Sequence, residues 1–71
     1  MVNQLIKMEK QKIKIQIEKG KRVTWGSCKV NDNLITSVGA NEIAMKRRMK
    51  LAIFQFEAIP THLIEFEEEY I

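Results

Sequence analysis

Residues 41–60, NEIAMKRRMKLAIFQFEAIP, constrain the fold more than any other stretch of this chain. Asn41 is a competent helix N-cap, and Glu42 stands where the positive end of a helix dipole favours an anion. Met45, Met49, Ala52, Phe56 and Ile59 then follow a 4-3-4-3 spacing and, with Ile53, make one apolar stripe of helical period. Pro60 is expected to stop the helix, because proline has no N–H for the ladder and pushes Ile59 before it toward extended geometry. The opposite side of this helix is not polar: Ile43, Leu51, Phe54 and Ala58 project together there, with Arg47 among them. A helix that is apolar on two sides is buried on two sides. The second side therefore has to meet the C-terminal segment or another protein. The rival reading takes residues 51–56, LAIFQF, as a strand on its alternating, β-rich character.

Ahead of the helix the period changes to two. Ile13, Ile15 and Ile17 alternate with Lys14, Gln16 and Glu18, the pattern of a strand with one buried face. Lys19-Gly20-Lys21 supplies a turn in which Gly20 is available for a positive φ, and Arg22-Val23-Thr24-Trp25 resumes β-branched and aromatic character, giving an antiparallel hairpin. Gly26 interrupts the second strand, as a bulge or a close backbone approach does, and Cys28 and Val30 restore the alternation. Asn31-Asp32-Asn33 is a turn cluster that tolerates left-handed geometry. Residues 34–38 form a third strand of a meander, and Gly39 and Ala40 are expected to leave the sheet. The helical stripe would then pack on Ile13, Ile15, Ile17, Val23 and Trp25.

The two ends of the chain carry weaker signals. Val2, Leu5, Ile6 and Met8 fit no single period, so residues 1–10 read as a frayed turn or an arm. After Pro60, Thr61 can cap a short helix in which Leu63, Phe66 and Tyr70 share a face. A strand that aligns Ile64, Phe66 and Tyr70 is the alternative, and the glutamates at 67, 68 and 69 favour the helix.

The net charge of +3 hides an asymmetry: residues 1–50 hold all 12 Lys and Arg against Glu9, Glu18, Asp32 and Glu42, a balance of +8, while residues 51–71 hold five Glu and no Lys or Arg. Such asymmetry points to an anionic partner on the basic side, or to an acidic end folded back over the basic part. Lys46, Arg47, Arg48 and Lys50 on the helix, with Lys21 and Arg22 in the turn, are the candidate nucleic-acid-binding residues; Lys12, Lys14, Lys19 and Lys29 could extend their field. No recognition helix with turn-helix spacing supports base-specific readout.

No motif for catalysis survives a check of its requirements. Cys28 and His62 could form a nucleophile pair, but the sequence offers no evident orienting group or oxyanion site, and Cys28 reads better as a small buried hydrophobe with Trp25 as a core or interface anchor. Thr24-Trp25-Gly26-Ser27-Cys28 resembles the Arg-Trp-Gly-Ser-Cys stretch of a family of zinc-dependent peptidases. The chain lacks that family's His-Glu-x-x-His, so the likeness transfers no metal, cofactor or catalytic residue. Glu65, Glu67, Glu68 and Glu69 crowd one terminal segment as solvated charge does, and Gly20, Gly26 and Gly39 make no phosphate-binding loop.

A chain of 71 residues buries only about 60% of its unfolded surface and commonly needs a staple. One cysteine forms no intrachain disulfide, and one cysteine with one histidine makes no structural zinc site. Oligomerisation is what remains. The expectation is one α+β domain over residues 1–71: a three-stranded antiparallel meander packed on one long helix, with a short C-terminal helix or strand. It is expected to be a non-enzymatic homo-oligomer, a homodimer, without cofactor, metal, membrane segment or small-molecule substrate. Ile43, Leu51, Phe54, Ala58 and Tyr70 are its expected oligomer or partner interface, and the wider partner is a nucleic acid or a protein. The N-terminus lacks signal- or transit-peptide features, which with the free thiol places the protein in the cytoplasm. Its abundant Lys, Ile, Asn and Glu suit an AT-rich microbial or viral genome.

Overall fold

The computed structural model describes residues 9–71. The arm expected over residues 1–10 therefore lies outside the described residues except for Glu9 and Lys10. The chain runs β1 (Gln11–Lys19), β2 (Thr24–Val30), β3 (Asn33–Ala40), α1 (Glu42–Glu57), one turn of 3-10 helix (Thr61–Leu63) and β4 (Ile64–Tyr70). This is an α+β fold. The meander of β1, β2 and β3 forms as the sequence indicates, but among the described residues the sheet has four strands in the order β3-β2-β1-β4 and is mixed, because β4 pairs parallel with β1.

The alternation in β1 sets the core. Ile13, Ile15 and Ile17 are buried beneath α1 while Lys12, Lys14, Gln16 and Glu18 lie on the open face of the sheet. The antiparallel register couples Ile15 to Cys28 and Ile17 to Gly26, so it is Cys28 and Gly26 that share the helix-facing side. Trp25 falls one residue out of phase and stands on the open face, 52% exposed, and Val23 lies in the connection before β2 and is exposed too. The expectation that these two pack under the helix is thus corrected by the parity of the strand.

Gly26 marks a close approach: a Cβ there would fall on the Met45 Sδ and 2.5 Å from the Met49 Cε. The missing side chain is the notch that lets two methionines of α1 reach the sheet, and flexible unbranched Met is suited to fill it. The bulge lies elsewhere, between Cys28 and Lys29, where Ile35 of β3 is the extra residue: Cys28 pairs with Thr36 and Lys29 with Leu34. Asn31 and Asp32, with φ of 52° and 66°, form a two-residue turn that leaves Asn33 to pair with Val30, the backbone signature of a type I′ hairpin. No glycine among the described residues uses a positive φ. Gly20 is in the four-residue connection before β2, which is closed by a Gly20 N–H donating to the Val23 carbonyl at 2.9 Å. Gly39 and Ala40 stay in the sheet, opposite Trp25 and Thr24, instead of leaving it.

The helix begins as its sequence predicts. The Asn41 side chain accepts a hydrogen bond from the Ala44 N–H at 2.8 Å, and Glu42 occupies the first turn. Residues 51–56 are helical, which removes the strand reading. The end comes before Pro60: Ala58 takes a left-handed conformation (φ 55°, ψ 30°) and its N–H donates to the Phe54 carbonyl at 2.9 Å. The apolar stripe is only partly buried. Met45, Met49 and Ile53 are buried and Ile59 packs against the core, but Phe56 is exposed.

The C-terminal segment is a strand, correcting the helical preference, and Thr61 starts a 3-10 turn instead of capping an α-helix. Ile64 and Phe66 point toward the core; Glu65, Glu67 and Glu69 occupy the open face. The register places Lys12 beside Glu65 and Lys14 beside Glu67. Opposite charges on neighbouring strands compensate for the poor strand propensity of glutamate. The acidic end thus lies along the basic strand β1.

Candidate functional site

Three buried residues at i, i+4 and i+8, Met45, Met49 and Ile53, fix the inner side of α1. Positions about half a turn away must then face outward, and Ile43, Arg47, Leu51, Phe54 and Ala58 do so. Ile43 is 75% exposed, Leu51 56% and Phe54 53%, and Ala58 is exposed as well. These four apolar members of the expected interface are therefore brought together as one outward row, interrupted by Arg47. No described residue packs over that row in the single chain.

The fifth member is placed elsewhere. Tyr70 ends β4 on its helix-facing side, and its hydroxyl donates to the Glu42 carboxylate at 2.5 Å. This is a short, charge-assisted bond. It holds the Glu42 carboxyl below the usual range, while acceptance by Glu42 pushes the Tyr70 hydroxyl up to about 12. The Lys19 ammonium lies 5.4 Å from the centroid of the Tyr70 ring. Tyr70 thus ties the start of the helix to the edge of the sheet. The sequence signal for this was the alternation of residues 64–70, which the run of glutamates masked.

The basic candidates divide in the same way. Lys46 forms ion pairs with Glu42, at 3.9 Å, and with Glu68, so it is turned toward β4. The Lys50 ammonium lies 5.8 Å from the Phe66 ring centroid, on that same flank. Arg47 and Arg48 are exposed on the helix, and Lys21 and Arg22 are exposed in the β1–β2 connection, at the end of the sheet where α1 begins. Of the six, Lys46 and Lys50 are engaged by acidic or aromatic neighbours, and the other four stand exposed on two elements.

Cys28 and His62 are not arranged as reacting groups. The Cys28 thiol is fully buried in the core, and burial pushes its pKa up, against a smaller opposing pull from a hydrogen bond with the Thr36 backbone. A protonated, inaccessible thiol is a packing group. His62 is exposed in the 3-10 turn. Among the described residues no group of three or more His, Cys, Asp or Glu side chains is placed to hold a metal ion, and no helix is long and apolar enough to cross a membrane.

A shallow cleft of about 440 Å³ opens beside β1 and β2, where their pairing stops after Ile15 and Cys28. Lys12, Lys14 and Lys29 line it together with Asp32 and Glu69. Its mixed charge fits no single class of ligand. Compared with known proteins, the chain matches no family model, no curated protein and no solved structure.

Proposed function

We propose that this is a small non-enzymatic binding protein that self-associates through the outer side of α1. The observation that carries the reading is the exposure of Ile43, Leu51 and Phe54 in one row on a helix whose other side is already buried. A small domain leaves a row of that kind in water at a cost, and such surface marks an association site. The row also suits a second copy of itself. With the two helices antiparallel, Ile43 meets the small Ala58 of the second copy, the Arg47 guanidinium lies over the Phe54 ring, and Leu51 comes near the two-fold axis. Large against small and cation against aromatic face are favourable pairings, each made twice in an isologous contact.

Nucleic acid is the less favoured partner, because Lys46 is held by Glu42 and Glu68 and Lys50 lies against the Phe66 ring, which takes two of the four basic residues of α1 out of a free basic surface. Binding to labelled DNA or RNA that is tight at low salt, falls steeply as salt rises and weakens with Arg47→Ala and Arg48→Ala would restore it.

The direct test is Phe54→Asp. The mass in solution, measured by light scattering, is expected to fall to half or less, with an unchanged far-ultraviolet circular dichroism spectrum. An unchanged mass refutes the reading. Loss of the folded spectrum refutes it too, since it would mean that the outer side is core.

A further inference from the structure

The sheet ends in two edges of opposite character, β4 and β3. β4 carries four glutamates in seven residues, Glu65, Glu67, Glu68 and Glu69. A second β4 laid against it would stack like charges, and charged edges of this kind are how sheets resist further pairing. β3, Asn33–Ala40, is NLITSVGA: eight residues without a charge or a proline, whose outer backbone groups have no strand beside them among the described residues. Only the bulge at Ile35 interrupts it, which leaves Thr36 to Ala40 as a regular run. Uncharged, unpaired and this long, β3 is a template for another strand.

We infer that β3 pairs antiparallel with β3 of a second copy, joining two four-stranded sheets edge to edge. The occupant follows from side chains that the single chain leaves unexplained. A two-fold axis perpendicular to the sheet sets open-face residues against open-face residues, so Ser37, at mid-strand on that face, comes beside its own copy. Past the bulge, the same register carries Leu34 to the side of Gly39 in the second copy. There the Trp25 ring lies across the strand: a Cβ on Gly39 would be 2.8 Å from the Trp25 Cζ3. Leu34 is 60% exposed and Trp25 52%, and these are the large apolar side chains on the β2–β3 half of an otherwise polar face. Pairing through β3 brings them together twice.

This contact is independent of the one proposed for α1. A protomer with two different isologous contacts builds a closed tetramer when the axes intersect at right angles, and a longer assembly when they do not. Four proteins separate the possibilities by light scattering. Wild type is expected at four copies or more, Phe54→Asp at two, Ser37→Glu at two, and the double variant at one. Ser37 is exposed, so its substitution leaves the fold intact, which circular dichroism checks. Leu34→Glu, whose new carboxylate faces Lys29 within its own sheet, is expected to act in the same direction as Ser37→Glu. Mixing Ser37→Glu with Ser37→Lys is expected to restore the wild-type mass that neither reaches alone.

If Phe54→Asp yields single chains, or Ser37→Glu keeps the wild-type mass, or the mixed charge variants stay no heavier than each apart, β3 pairing is wrong while the reading of α1 stands. If Ser37→Glu yields single chains, α1 pairing is wrong while that of β3 stands.

Discussion

On the inner side of α1, Met45, Met49 and Ile53 are fully buried; on the outer side, Ile43, Leu51 and Phe54 are more than half exposed. The two rows are alike in apolar character, but Leu51 is branched and Phe54 aromatic where the methionines are unbranched and flexible. What separates them is the surface they have to fit. Gly26 and Cys28 present a notch and a small side chain under the helix, and a methionine can thread into that gap where a phenyl ring or a branched side chain cannot. Contacts on the β4 flank, Glu42 with Tyr70 and Lys46 with Glu68, then hold the helix in the rotation that points Ile43, Leu51 and Phe54 outward. Periodicity says which residues share a side; the opposing sheet decides which side is inside.

The largest difference between the two sides is expected at Met49 and Leu51, two residues apart in sequence. Met49→Ala is expected to cost ~2–5 kcal/mol of folding stability through the lost burial and the cavity left beside Gly26. Leu51→Ala is expected to change it by less than about 0.5 kcal/mol. Urea denaturation at low protein concentration, where association contributes little, checks both; equal losses would mean that the outer row is core. A smaller effect of opposite sign is expected at Ala58, the last residue of the outer row. A side chain with Cβ in left-handed geometry is strained, so Ala58→Gly should stabilise the chain by about 1 kcal/mol. A loss of stability there would show that the methyl group packs against something in the folded protein.

Those positions also mark how far the sequence alone could go. The Ile13-Ile15-Ile17 alternation, the Asn41 cap and the grouping of Ile43, Leu51, Phe54 and Ala58 were legible because each depends on local period or local hydrogen bonding. The placing of Trp25 was not, because its side of the sheet follows from which residue of β2 pairs with Ile17, and a large aromatic residue draws a core assignment that the smaller Gly26 turns out to hold. The strand at residues 64–70 was hidden for a related reason. Glutamate disfavours strands in isolation, and only the long-range pairing with Lys12 and Lys14 makes alternating glutamates acceptable. Tyr70 is expected in the interface with Leu51 and Phe54; in the strand its hydroxyl reaches Glu42, a contact that local period could not show.

The Tyr70 to Glu42 bond helps fix which way α1 is turned, and its effect is expected to be small. Both groups are at the surface, so what it contributes is read best by titration. Glu42 has a lowered folded pKa: its contribution is present above the ordinary carboxylate range and is lost as pH falls through that lowered value. Tyr70 has a raised one: its contribution is complete below the ordinary phenol value of about 10 and is lost as pH rises through its folded value of about 12. In Tyr70→Phe the largest cause of the Glu42 shift is gone. Its pKa should therefore move up toward the ordinary range, and the stability difference between the two proteins should shrink at both acid and alkaline extremes. Carbon-13 titration of the Glu42 carboxyl measures this directly. A Glu42 pKa that stays as low in Tyr70→Phe as in wild type would assign the shift to Lys46 and Lys19 instead, and the rotation of α1 would then rest on the Lys46 ion pairs.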